Sequence, residues 1–244
     1  MNSIRVRFTR GDEVKFISHL DLMKVFERAI RRSGLPIAYS QGYNPHPGMV
    51  FGLPLSVGTT SCGEYADFEL SREIDADEFM DTLNKCLPCG INITDAAEKN
   101  VKSNIMASIA QADYSIDIFL HETLSQQEAE EKLKSMMSLE QIIVMKTGKA
   151  GSKEVDVKPL IVNVRLEKIE MVPAGYEAFE TAFTLKCTFK AGSASNLRPE
   201  LFVAALSKYG VFAVEASRFH RDTLYVEKNG VMIDPMDTAV LNEA

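Results

Sequence analysis

The run Ile4-Arg5-Val6-Arg7-Phe8-Thr9-Arg10 alternates apolar and polar residues, and beyond a Gly11-Asp12-Glu13 turn the chain switches to helical spacing. A period of two sets Ile4, Val6 and Phe8 on one face of a strand, with Arg5, Arg7 and Thr9 on the other. From Ser18 to Ser33, Leu22, Met23, Phe26, Ala29 and Ile30 share one side of a helix at about 100° per residue. Ser18 and Asp21 have the spacing of a helix cap, and Gly34 marks the end. The order in which such segments recur then decides the fold.

Short extended pieces follow at Met49–Gly52 and Leu53–Gly58. An alternating strand at Glu64–Leu70, a helix from Asp75 to Leu87 and a closing strand at Ile91–Thr94 complete the first set. Strand, helix, strand, strand, helix, strand is the ferredoxin-like order, which interlocks two βαβ halves into one antiparallel sheet. A strand at Asp113–Leu120, a helix capped by Ser125 and Glu128, and a strand at Ile142–Met145 begin a second set. Two long strands, Leu160–Ile169 and Ala178–Ala191, turn about Pro173-Ala174-Gly175. A helix with Pro199 in its first turn runs to Gly210, and Phe212–Ala216 is a last strand. The expected fold class is therefore α+β: two tandem ferredoxin-like (βαββαβ) domains, antiparallel sheets with helices on one face, the second with an additional strand. The expected boundaries are a first domain at 1–98, a linker at 99–112, a second domain at 113–228 and a C-terminal tail at 229–244.

Composition excludes several classes. The 244 residues are 45% hydrophobic and 25% charged, as in ordinary globular chains. No apolar run of about 18 residues occurs, and the amino terminus alternates rather than forming a signal-peptide core, so a cytoplasmic protein without membrane contact is expected. Cys62, Cys86, Cys89 and Cys187 lack the spacing of a disulfide framework, which fits a reducing compartment. Cys86-Leu87-Pro88-Cys89 has no second ligand pair for zinc and closes a helix rather than opening one; helix-end packing is its reading, and no metal or cofactor is assigned to the chain. The loop 146–159 has no GxxxxGK[ST] spacing, which excludes a phosphate loop.

Charge is uneven. Residues 1–60 hold eight Lys/Arg against four Asp/Glu, net +4 within a total of −7, leaving −11 for the remainder. A basic region on an acidic chain points to one directed anionic contact. Lys24, Arg28, Arg31 and Arg32 fall on the helix side away from the apolar stripe, with only Asp21 and Glu27 as local partners. In the loop Ser40–Gly52, Pro45 and Pro47 push Asn44 and His46 toward extended conformations, so Tyr43, Asn44 and His46 are shown on a stiff segment that loses little entropy on binding.

Arg7, Lys24, Arg28, Arg31 and Arg32 are accordingly candidate phosphate contacts. Tyr43, Asn44 and His46 are candidates for an unstacked base. A second reading makes His19, Asp21 and His46 acid/base groups of a hydrolase-like enzyme, or a metal site. A third is a protein-interaction adaptor that uses the acidic second domain without nucleic acid. No activated nucleophile stands out, so a binding module ranks above an enzyme.

Phe16-Ile17-Ser18-His19-Leu20-Asp21-Leu22, the basic helix, Gly42-Tyr43-Asn44-Pro45-His46-Pro47, Phe51–Gly58 and Glu64-Tyr65 together resemble the radical SAM-linked, or radical SAM-associated, bacterial family of unknown function. The resemblance implies a stand-alone domain without the radical SAM barrel and a radical SAM enzyme as partner. Any S-adenosylmethionine and iron–sulfur cluster would belong to that partner. The implied role is an RNA- or substrate-binding accessory module in RNA modification or processing.

Overall fold

The structure is a computed structural model in which residues 2–148, 151–170 and 172–242 are described. In chain order the elements are β1 (Ser3–Arg10), α1 (His19–Ser33), β2 (Met49–Phe51), β3 (Thr60–Glu69), α2 (Ala76–Asn84), β4 (Ile91–Lys99), α3 (Ile105–Ser108) and β5 (Ile109–Leu120). Then come α4 (Gln126–Met137), β6 (Ile143–Gly148), β7 (Gly151–Asp156), β8 (Ile161–Glu170), β9 (Thr181–Lys190), α5 (Pro199–Lys208), β10 (Ala216–Lys228), β11 (Val231–Ile233) and α6 (Thr238–Leu241). The architecture is mixed α+β. The chain divides into one compact unit of Met1–Gln111 with Arg221–Ala244 and another of Ala112–His220. No helix among the described residues is long and apolar enough to cross a membrane.

In the first unit β1 lies between β4 and β3, antiparallel to both, with Val6 opposite Ala96 and Ala66. Strand β3 also carries β2, in register at Phe51–Ala66, and neighbours β10, which pairs with β11. The alternation of β1 holds: Ile4, Val6 and Phe8 join Phe68, Leu22, Phe26, Ile30, Phe79 and Leu83 in one core. Helix α1 begins where expected, because the Ser18 hydroxyl accepts from the Asp21 amide at 3.2 Å, and it ends at Gly34, whose φ of 67° is a left-handed cap.

The opposite face of this sheet is buried as well. There Arg5 donates Nε and Nη2 to Asp67 at 2.7 and 3.0 Å and Nη1 to the Pro235 carbonyl at 3.0 Å. Lys99 Nζ stands 3.3 Å from Asp67, which also accepts from the Ile105 amide at 3.1 Å. Residues 99–112, expected as a connection, thus comprise the end of β4, α3 and the start of β5. Residues 229–242, expected within a tail, supply β11 and α6, where Leu241 is buried and its carbonyl accepts from Asn100.

In the second unit the strand order is β10-β5-β9-β8. Ser125 and Glu128 form a reciprocal cap at α4. The Phe189–Phe202 and Phe183–Phe212 ring contacts lie in its core. Residues 146–159, expected as a loop, hold most of a β6–β7 ribbon with Val144 opposite Val155. Its residues are largely exposed on both faces, so no alternation marks them as strands. Lys149 and Ala150 lie outside the described residues. The last long strand begins only at Ala216, where the sequence alone suggests a strand over Phe212–Ala216.

Candidate functional site

Helix α1 and the loop after it meet at one point. His46 Nδ1 lies 3.8 Å from Glu27 Oε1, and the loop closes on itself through Ser40 N to His46 O at 2.9 Å and His46 N to Ser40 Oγ at 3.0 Å. This turn leaves the Tyr43 side chain fully exposed, at 105% relative accessibility, with Asn44 beside it. Arg28 and Arg31 are exposed on α1, and no hydrogen bond or ion pair among the described residues engages either. Lys24 is 3.3 Å from Asp21, and Arg32 donates to the Cys86 carbonyl at 2.6 Å. Arg31 and Arg32 also sit in the last turn, where cations complement the helix dipole. Arg7 is elsewhere: it extends from the sheet face opposite α1, 5.9 Å over the Tyr65 ring and 3.8 Å from Asp234.

His19, Asp21 and His46 have separate partners. Asp21 accepts from the Ser18 hydroxyl at 2.7 Å, a bond that, with Lys24, holds its carboxyl below the usual range. His19 packs edge-on against Phe51 at 5.8 Å, while His46 reaches Glu27, about 12 Å along the helix from His19 at 1.5 Å per residue. Cys86 and Cys89 follow α2, and the Cys89 thiol points to Glu13 at 3.6 Å.

A buried charge cluster that the sequence reading did not single out lies beside His19. Arg10, 1% exposed, continues the Ile4-Val6-Phe8 face of β1, and its Nη2 donates to the carbonyls of Val14 and Ile17 at 3.3 and 3.1 Å. Among the described residues, Arg10 Nε and Nη1 have no hydrogen-bond partner, nor has the buried Thr59 hydroxyl. Glu64 is engaged by Arg221, which donates Nε at 2.8 Å and Nη2 to the second carboxylate oxygen, and also holds the Leu53 carbonyl at 2.7 Å. Burial lowers the Arg10 pKa, Glu64 opposes this, and Arg221 lowers it further. Burial and then Arg10 push the His19 pKa below its ordinary value of 6.5, against a smaller pull from Glu64. The signal was present in the alternation: Arg10 shares the parity of three core residues.

Among solved structures, the chain is similar to a Cbf5-Nop10-Gar1 complex at 12% identity and a TM-score of 0.46, covering 93% of this chain and 50% of that one. It is similar to an H/ACA ribonucleoprotein bound to a substrate RNA containing 2'-deoxyuridine at 8% identity and a TM-score of 0.42, covering 90% and 46%. A heme complex of a DypB variant from Rhodococcus jostii RHA1 matches at 10% identity and a TM-score of 0.24, covering 95% of each chain. The chain thus spans about half the length of the first two, and likenesses this distant say nothing of activity. No curated protein matches the chain. Residues 3–199 match the profile of the family described as "Uncharacterized protein conserved in bacteria (DUF2344)", and the chain belongs to that family.

Proposed function

We propose that the chain is an RNA-binding accessory module of RNA modification or processing, acting through its first unit in the cytoplasm. One juxtaposition supports this reading: the Glu27–His46 contact sets a loop tip with a fully exposed Tyr43 beside a helix that carries the unengaged Arg28 and Arg31. Guanidinium groups suit phosphates, and an exposed phenol offers a stacking surface to any unpaired base. Lys24 and Arg32 extend the positive strip. Arg7, on the other face of its sheet, is the least suited member of the set. Separate partners for His19, Asp21 and His46 favour binding over acid/base chemistry.

In this reading the catalytic partner is a radical SAM enzyme, on the strength of the sequence resemblance alone. Each unit is read as ferredoxin-like. The strand orders β4-β1-β3-β2 and β10-β5-β9-β8 both place the first strand between the last and the third, and β6–β7 is the additional element of the second unit. Equilibrium binding of the intact chain to total cellular RNA tests the proposal. Stacking on Tyr43 predicts that Tyr43→Ala weakens saturable binding roughly five-fold or more. Absence of saturable binding, or binding indifferent to Tyr43, would overturn it in favour of a protein-interaction adaptor.

A further inference from the structure

Strand β5 alternates within the second unit: Tyr114, Ile116 and Ile118 are buried, with Tyr114 against Phe189 of the core, while Ser115 and Asp117 face the other way and are half-buried. Phe119 has the parity of Asp117 yet is only 1% exposed. Its cover comes from the connection between β8 and β9 and from the start of β10. Tyr176 stacks on the Phe119 ring at 4.3 Å, Phe179 tilts against it at 5.5 Å, and the Arg218 guanidinium lies 6.0 Å from its centroid and 5.5 Å from that of Tyr176.

A cavity of about 140 Å³ remains beside this cluster. Phe119, Ala182 and Pro173 line an apolar side of it, and Asp117, Thr184 and Arg218 a polar side. The polar side is held in place: Arg218 donates Nε and Nη2 to Asp117 Oδ2 at 3.1 and 2.8 Å, and the Thr184 hydroxyl donates to Oδ1 at 2.8 Å. A guanidinium has five N–H groups, so Arg218 keeps donors beyond the two given to Asp117, and its side chain is 53% exposed. Protein interiors are close-packed, and a void beside a buried ring forfeits dispersion contacts that an occupant would restore.

The geometry points to a binding site for one pyrimidine base, its ring against Phe119 and Ala182 and a carbonyl oxygen accepting from Arg218. The size suits a single ring, since a void of about 150 Å³ takes up one benzene. Both oxygens of Asp117 are already engaged, so the occupant has to bring an acceptor to Arg218. A neutral occupant suits the charge as well: Arg218 and Asp117 are the charged members of the lining and balance each other, whereas a carboxylate would stand beside Asp117. Aromatic rings and guanidinium planes hold unstacked bases in this way. The base may be carried on RNA or be free, and the site does not depend on the RNA reading of the first unit, which rests on Tyr43 and α1.

The test titrates the intact chain with uridine, adenosine, benzoate and oligouridylate, following the Thr184 methyl and Phe119 ring resonances by NMR. Uridine is expected to shift both saturably, with adenosine and benzoate weaker by about ten-fold. Ala182→Leu fills the cavity, so it should keep or raise the unfolding midpoint and abolish the uridine response. Arg218→Lys keeps a charge beside Asp117 but loses the planar fork, and should weaken uridine by about ten-fold, the size of one charge-assisted hydrogen bond. Oligouridylate acting on the same resonances at lower concentration than uridine assigns the base to RNA; no such gain assigns it to a free pyrimidine. Adenosine or benzoate binding as well as uridine overturns the base assignment. Resonances indifferent to uridine and oligouridylate, or a uridine response unchanged in Arg218→Lys or in folded Ala182→Leu, overturn the site.

Discussion

Arg5 and Arg10 leave β1 on opposite faces, both 1% exposed, and their surroundings treat them differently. Arg5 is held bidentate by Asp67, which also stands against Lys99 at 3.3 Å. Removing one partner of a buried pair strands the other, so Asp67→Ala should lower stability by about 3–5 kcal/mol in urea unfolding. A loss below about 1 kcal/mol, the size of an exposed pair, would contradict this account of that face. At His19 the sign runs the other way from a paired histidine. Its folded pKa lies below the unfolded 6.5, so its contribution is full above pH 6.5 and is lost as the pH falls from there through the folded value. His19→Gln should flatten the stability curve in that window; an unchanged slope would mean that Arg10 does not act on the imidazole.

At the scale of elements, β3 and β10 approach so closely at Gly63 that a Cβ there would stand 2.5 Å from the Asp222 carbonyl oxygen and 2.6 Å from Thr223 Cα. Both neighbours are backbone and cannot swing aside. Gly63→Ala is therefore expected to disrupt this strand pair, read as faster amide exchange along β3 and β10; unchanged protection would argue against the close pairing. Long-range approaches of this kind bound what the sequence revealed. Strand β1, helix α1 with its Ser18 cap and Gly34 end, and the Ser125 cap of α4 were legible because local spacing and side-chain chemistry dictate them. Elements held by distant partners were not. The β6–β7 ribbon is exposed on both faces, and α6 is tied through the Leu241 carbonyl to the Asn100 amide, more than a hundred residues away. The candidate site divides in the same way. The cations of α1 and the proline-stiffened loop were visible as types in a pattern, whereas their meeting through Glu27 and His46 depends on the fold.

For the whole molecule, net charge and local charge have opposite signs. A total of −7 repels a polyanion at long range, while residues 1–60 carry +4. Within a Debye length of about 8 Å at physiological salt, the local field of α1 outweighs the total, so RNA binding should be short-ranged and steeply salt-dependent. The most direct measurement is the dissociation constant for single-stranded RNA from about 50 to 200 mM salt, for the natural chain and for Arg28→Ala/Arg31→Ala. The account predicts affinity that falls with salt, and a log–log slope that becomes shallower by about 0.7 for each phosphate that the variant no longer neutralises. Identical slopes for the two proteins, or no binding by the natural chain at the lowest salt, would contradict it.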